Sequence, residues 1–302
     1  MLERVRVDEF LSSVLALAHP LEPLDLPLLD AHGATLANDI FAGDRLVLKA
    51  GTPIRSTQIG LAASIGLDRL PTRPLPRVVI ISAGPDLVEP GQPVTGQQEY
   101  ETNSWQLTTM VREIGGVGYR VHHIPDDEEE LRNVIEDQLV RADLVVLSGE
   151  RHDDSFDLIT RTLNQIGSVK TAELDIEGSG RHNYGTIGPD NTPVITVPGD
   201  PIAAYISMQL FVRPVIRTMF GAREIHCPAV KSRIEKSIPE LSGKRTYLRA
   251  VISEDKKSVS ALAEQEEFST LAAANSLIAI TEGVKKLSSG DEVTVVILPK
   301  LK

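Results

Sequence analysis

The chain has 302 residues and a formal net charge of -11, which leaves room for two or three domains and excludes a general nucleic-acid binder, whose basic face must displace counterions. No apolar run approaches membrane-spanning length, the opening MLERVRVDEF lacks the apolar core of a signal peptide, and Cys227 is the only cysteine. A cytoplasmic chain with no membrane insertion, disulfide framework or thiolate metal cluster is expected, with Cys227 a buried small residue rather than a nucleophile.

In chain order, Val7 to Ala18 places Phe10, Leu11, Val14 and Leu17 on one stripe, the pattern of an amphipathic helix. Leu28 to Leu36 is expected as a second short helix. Ala37 to Pro53 alternates apolar residues between glycines and is expected as a small strand-rich unit. Ser56 is expected to cap a helix through Leu61 to Ile65, and Pro71, Pro74 and Pro76 to stiffen a linker. The following stretch, Arg77 to Phe220, alternates strands and helices. Val78 to Ile81 is a β-branched run ending at Ser82-Ala83-Gly84, Thr102 to Ile114 carries helical spacing, and Val117 to Ile124 returns as a strand. Pro125 before Asp126, with Glu129 three residues on, predicts a helix from Asp126 to Ala142, its acidic run Asp126 to Glu130 being a solvated start. Leu144 to Leu147 is a further strand, stopping at Ser148-Gly149.

Continuous apolar runs bounded by glycine and alternating with helices predict an α/β fold with a parallel sheet covered on both faces. Ligands of such sheets sit beyond the carboxyl ends of the strands, which directs attention to the loops at Ser82, Ser148 and Pro198. Pro201 to Phe220 is expected as a long helix kinked or shortened at Pro214. Beyond Arg223, strand-like runs at 247–252, 258–262, 276–280 and 292–298 suit a small C-terminal β domain. The divisions expected are 1–75, 76–223 and 224–302. His122 and His123 lack the neighbouring carboxylate or cysteine spacing of a metal site.

Several of these segments together carry a resemblance: Ser82-Ala83-Gly84 with Glu89-Pro90-Gly91, Tyr100-Glu101-Thr102-Asn103-Ser104, Val197-Pro198-Gly199-Asp200-Pro201, and Leu210-Phe211-Val212-Arg213-Pro214. They resemble the molybdopterin molybdenumtransferase family, whose animal relative is gephyrin, over nearly the whole chain. The resemblance implies a molybdopterin-binding α/β domain, an N-terminal dimerisation region, a C-terminal β domain and a homodimer. It further implies molybdopterin, its adenylate and molybdate as ligands, with magnesium as the divalent cation. Carried over by position, Glu101, Asp157 and Arg181 would be catalytic, Glu101 and Asp157 would hold the cation, and Ser82, Gly84, Asn103, Ser148, Gly149, Pro198, Gly199, Asp200 and Pro201 would bind the pterin. Read as residues alone, Glu101 with its neighbours is equally an N-terminal helix cap, and Asp157 equally the start of a helix over Leu158 to Ile166.

Three departures from the family pattern are present. Leu36 to Ile40 runs straight into Ala42-Gly43-Asp44, so the family's inserted lid subdomain is missing. Its SGGVSVGDYD loop is replaced by 148–157, with Glu150 and Asp154 at glycine positions and Arg151 and His152 beside them. Its KPGKP segment is replaced by Glu177 to His182, in which Arg181 stands for one lysine and Glu177 for none. These changes imply weakened molybdate insertion, or alternatively a gephyrin-like scaffold for a protein partner.

Overall fold

The computed structural model describes residues 3–121, 127–149, 153–263, 265 and 267–299, with the side chains of residues 3, 153 and 154 left aside. The expectations for His122, His123, Pro125, Asp126, Glu150, Arg151, His152 and the Asp154 side chain lie outside what it describes.

The chain begins with β1 (Glu3–Val5) and α1 (Val7–Leu15). It then builds a small unit from β2 (Leu24–Pro27), β3 (Thr35–Leu36), β4 (Ile40–Ala42), β5 (Arg45–Leu48), α2 (Ser56–Ser64) and β6 (Arg69–Arg73). Two expectations need correction here. Leu28 to Leu36 is a run of turns ending in β3, because Gly33 takes a left-handed φ of 85° and the chain must double back to pair with β6. The proline-rich linker is in part a strand: β6 pairs antiparallel with both β2 and β3, with Pro71 opposite Asp25. Ser56 is the first residue of α2 rather than its cap, and the preceding Arg55 N–H donates to Gln58 Oε1 at 3.2 Å. Only Ala37 to Asp39 connects β3 to β4, so no subdomain is inserted there.

The central body contains β7 (Arg77–Ser82), β8 (Leu87–Val88), β9 (Glu99–Tyr100), α3 (Asn103–Ile114), β10 (Val117–Arg120), α4 (Glu128–Leu139), β11 (Leu144–Ser148) and α5 (Asp153–Ile166). It continues with β12 (Gly167–Leu174), β13 (Arg181–Ile187), β14 (Thr192–Val197), α6 (Pro201–Ser207), a π-helical turn at Met208–Val212 and α7 (Arg213–Met219). Seven strands form one sheet in the order β1-β12-β13-β14-β11-β7-β10. β7 and β11 are apolar without alternation because both of their faces are covered, by separate clusters around Val78 and Ile80 and around Val79 and Ile81. The sheet is mixed rather than parallel throughout. β13 runs antiparallel to β12 and β14, and the close approach of its backbone to Ser168 is possible only because residue 185 is glycine.

α4 starts at Glu128, one residue later than a cap at Asp126 would require, because Asp127 is the cap and its Oδ1 accepts from Glu130 N at 2.8 Å. The expected long helix after Pro201 is divided. Pro214 has no N–H to offer Leu210 and its ring would strike that carbonyl, and the wide π turn immediately before it relieves both. α1 packs on the body's own sheet, where Phe10 meets the rings of His182, Tyr184 and Phe211 edge-on at 5.3, 5.2 and 4.8 Å.

The remaining chain forms β15 (Ala229–Ile234), β16 (Thr246–Ile252), β17 (Ser258–Ala261), α8 (Phe268–Ala273), β18 (Ser276–Ile280) and β19 (Glu292–Ile297). Its five strands close into a barrel with its own core. Among the described residues no helix is long and apolar enough to cross a membrane.

Candidate functional site

The parallel register of β7, β11 and β14 aligns Ser82 with Ser148 and Ser148 with Val197. Three strands therefore end side by side, and the loops that open there gather at one edge of the sheet. β13 begins at the same edge, because it runs antiparallel to β14 and starts where β14 stops. Ser82, Gly84, Ser148, Gly149, Pro198, Gly199, Asp200 and Arg181 thus lie along one edge of the sheet.

Glu101 sits at this edge with 1% exposure. It precedes α3, and its carboxylate is surrounded by donors. Oε1 accepts from Ser82 Oγ at 2.7 Å and from Ser104 N at 2.7 Å, while Oε2 accepts from Ser104 Oγ and faces Arg120 Nη2 at 3.5 Å. Through its bond from Ser104 N the carboxylate closes the first turn of α3, and through Ser82 it reaches the end of β7. Arg120 comes from the end of β10, the strand beside β7. Its guanidinium also pairs with Glu89, donates through Nε to Ser104 Oγ at 2.6 Å, and lies 4.2 Å above the Trp105 ring. Ser82 Oγ is 3.2 Å from Ser148 Oγ, which ties the first two loops together. Sequence reasoning missed Arg120, Ser104 and Trp105. The available signal was a lone arginine at the carboxyl end of a strand.

Asn103 secures the third loop. Its Nδ2 donates to Gly199 O at 2.8 Å, while its Oδ1 is buried and meets no hydrogen-bond partner. Asp200 caps α6, its Oδ1 accepting from Ile202 N at 3.0 Å and Ala203 N at 2.9 Å, with Pro201 at the first helical position. A Cβ on Gly149 would approach Ser155 Oγ to 2.8 Å, so glycine lets the backbone at 149 lie close to α5.

Asp157 lies within α5, not at its start. It is exposed and accepts from Arg181 Nη1 at 3.0 Å, and Arg181 stacks 4.3 Å from the Phe156 ring. Glu177 is exposed and contributes no cation. A cavity of about 370 Å³ lined by Pro90, Gly91, Tyr100, Glu101, Thr102 and Trp105 opens beside the buried carboxylate. A smaller one of about 50 Å³ reaches Asn103, Gly149 and Gly199. Tyr100 and Trp105 stand half exposed at the first, offering flat apolar faces to a ring system. Away from this edge, Cys227 is half-buried and donates to Gln209 Oε1 at 3.3 Å, and burial pushes its thiol up from the ordinary value, so it is not an activated nucleophile.

Residues 79–218 match the family described as a probable molybdopterin binding domain, and residues 231–298 match the MoeA C-terminal region, domain IV. Molybdopterin molybdenumtransferase 1 of Mycobacterium tuberculosis is 29% identical over 270 residues, covering 86% of this chain and 63% of that protein. Molybdopterin molybdenumtransferase of Haemophilus influenzae is 23% identical over 278 residues, covering 90% of this chain and 68% of that protein. The chain thus spans about 63% of the length of its Mycobacterium tuberculosis relative. The structure of the molybdopterin biosynthesis moea protein from Pyrococcus horikosii aligns with a TM-score of 0.82 at 18% identity, covering 99% of this chain and 100% of that one. At that identity the likeness is one of fold.

Proposed function

The chain belongs to the MoeA-type family of molybdopterin-binding proteins, and from that premise we propose that it acts in molybdenum cofactor assembly by binding molybdopterin or its adenylate at the carboxyl edge of the seven-stranded sheet. The observation that carries this reading is the buried Asn103 Oδ1, an acceptor without a partner beside the carbonyl of Gly199 that its own amide group fixes. A buried acceptor left empty costs about 1 to 3 kcal/mol. A pterin ring offers amino and ring N–H donors to such an atom, and Tyr100 and Trp105 offer faces on which the ring can lie. Arg181 is the cation best situated for the phosphate, since the start of β13 faces the same edge. Ser82, Ser148 and the backbone of Gly149, Pro198 and Gly199 complete the contact set.

Molybdate insertion is weaker than in relatives that carry the lid and two lysines. Only Ala37 to Asp39 stands where the family's lid would be inserted, and only Arg181 stands in the former lysine segment, which removes groups that would exclude water and supply charge. Two charge-assisted phosphate contacts, each worth about 1.5 to 3 kcal/mol, amount to roughly two to four powers of ten in affinity.

The protein acts as a cytoplasmic homodimer in this reading. The apolar stripe of α1 is no support for a dimer, because Val7, Phe10 and Val14 are buried in the chain's own core. The support is instead in the small N-terminal unit, where Leu24, Leu29, Phe41 and Leu46 are exposed. A single sedimenting species of monomer mass at micromolar concentration would remove the dimer from the proposal.

The test is anaerobic calorimetric titration with molybdopterin and with its adenylate, followed by measurement of molybdate-dependent AMP release. Saturable binding with slow or absent release is expected. Failure to bind either pterin would refute the ligand, and rapid AMP release would refute the weakened chemistry.

A further inference from the structure

The family resemblance leads one to expect a divalent cation held by Glu101 and Asp157, but the donors around these two groups do not fit one. A magnesium or calcium site presents oxygens at about 2.0 to 2.6 Å from a single ion, several of them with free lone pairs turned to a common point. Glu101 turns its oxygens to Ser82 Oγ, Ser104 N, Ser104 Oγ and the Arg120 guanidinium. Asp157 turns Oδ1 to the Arg181 guanidinium at 3.0 Å. Among the described residues, no group of three or more histidine, cysteine, aspartate or glutamate side chains is gathered to hold a metal ion.

The residues that hold the two carboxylates come from different strands. Glu101 is bonded to Ser82 at the end of β7, whereas Arg181 belongs to β13, with β11 and β14 lying between. Three inter-strand spacings, roughly 14 Å, separate the strand that carries Ser82 from the one that carries Arg181. Each acidic group has its own arginine. An ion at Glu101 would have to displace a buried guanidinium that stacks on Trp105 and pairs with Glu89, placing two cations against one carboxylate.

Resting on the ligand reading above, we infer that Arg120 and Arg181 replace the divalent cation, so that this site takes its phosphorylated pterin without magnesium. The two arginines act differently. Arg120 is a positioning residue: it neutralises Glu101 and Glu89, so that the buried carboxylate does not repel an anion, and it orients Trp105. Arg181 is partly exposed and places its charge where the phosphate arrives, with Asp157 holding the guanidinium plane.

Two measurements on the full chain test this. In the first, manganese(II) is titrated with no pterin present and its bound fraction read by electron paramagnetic resonance, for the wild type, Glu101→Gln and Asp157→Asn. Equal uptake by all three supports the inference, and a bound ion lost on either substitution overturns it. Asp157 is exposed, so its variant remains informative if Glu101→Gln folds poorly. In the second, molybdopterin is titrated in EDTA and in excess magnesium. Affinities within about threefold of one another support the inference, and tightening by about tenfold or more with magnesium overturns it. Arg181→Ala should weaken binding by roughly tenfold to a hundredfold in both buffers. A variant that binds as the wild type does removes Arg181 from this role. Absence of pterin binding in both buffers refutes the ligand assignment, while the manganese comparison still decides the cation.

Discussion

Glu101→Gln isolates the contribution of the buried network, because the amide keeps the shape of the side chain and changes only its charge and donors. One amide oxygen can still accept from Ser104 N or Ser82 Oγ, but the new NH2 group faces the Ser104 hydroxyl and the Arg120 guanidinium, both of which donate to the carboxylate in the wild type. The lost charge-assisted bond costs about 1.5 to 3 kcal/mol. Arg120, with only 8% of its side chain exposed, then keeps Glu89 and the Ser104 hydroxyl but loses its second carboxylate. Removing one partner of a buried ion pair costs about 3 to 5 kcal/mol when nothing remains, so the surviving pair with Glu89 places the total at roughly 2 to 4 kcal/mol. For a body of this size that is a fall in Tm of roughly 4 to 16 °C. Urea unfolding followed by fluorescence is well suited as the assay, since Trp105 is the only tryptophan and lies against Arg120. A double-mutant cycle with Glu89→Gln should return a coupling above about 0.5 kcal/mol, because both carboxylates share one guanidinium. An unfolding free energy within about 0.5 kcal/mol of wild type for Glu101→Gln would refute the argument and return Glu101 to the pool of free ligands.

His182 is completely buried and burial lowers its pKa to about 4, so the folded protein keeps it neutral while the unfolded chain protonates near 6.5. Stability associated with this group is present above pH 6.5 and is lost as the pH falls from there to about 4, by about 3 kcal/mol in total; His182→Leu should flatten the stability profile in that window, and an unchanged slope would count against the assignment. Asp200→Ala removes an acceptor for two amides at the start of α6 and should cost about 0.5 to 2 kcal/mol, largely recovered by Asp200→Ser, as measured by thermal unfolding. Gly185→Ala places a Cβ 2.1 Å from Ser168 O and should destabilise the protein by at least about 1 to 3 kcal/mol, with hydrogen-exchange protection falling first along β12 and β13. Retained protection there would show that the strands can move apart at little cost.

What the sequence made legible follows from which physical constraints are local. The β7 and β11 runs were readable because strands buried on both faces must be apolar at every position, and the loops at Ser82, Ser148 and Pro198 were readable because a strand's end is marked where the apolar run stops. β12 and β13 were not recognised, since GSVKTAEL and RHNYGTI contain few large apolar residues although His182 and Asn183 are fully buried. Their burial rests on partners remote in sequence: Thr196 Oγ1 accepts from Asn183 N, and Ser207 Oγ lies 3.0 Å from His182 Nε2. Leu28 to Leu36 has apolar residues near helical spacing, yet the pairing of β3 with β6 and the left-handed Gly33 decide the outcome. At the site, the residue types came from the motifs, but the pairing of Glu101 with Arg120 depends on β10 lying next to β7, which no short pattern specifies.

The course of the first strand and helix makes the sheet-bearing body discontinuous in the chain. β1 and α1 are built into it, the polypeptide then departs to form the small unit of β2 to β6, and it re-enters at Arg77. An excised fragment beginning at Arg77 would lose the edge strand beside β12 and the Phe10 ring seated among His182, Tyr184 and Phe211. The ring's burial alone is worth about 1.5 to 3 kcal/mol, and the vacated seat would expose aromatic surface in its place. Joining β1 and α1 to that fragment through a short flexible linker, in place of the small unit, should restore a folded body, which makes the intervening unit an insertion that can be exchanged without dismantling the edge where β7, β11 and β14 end.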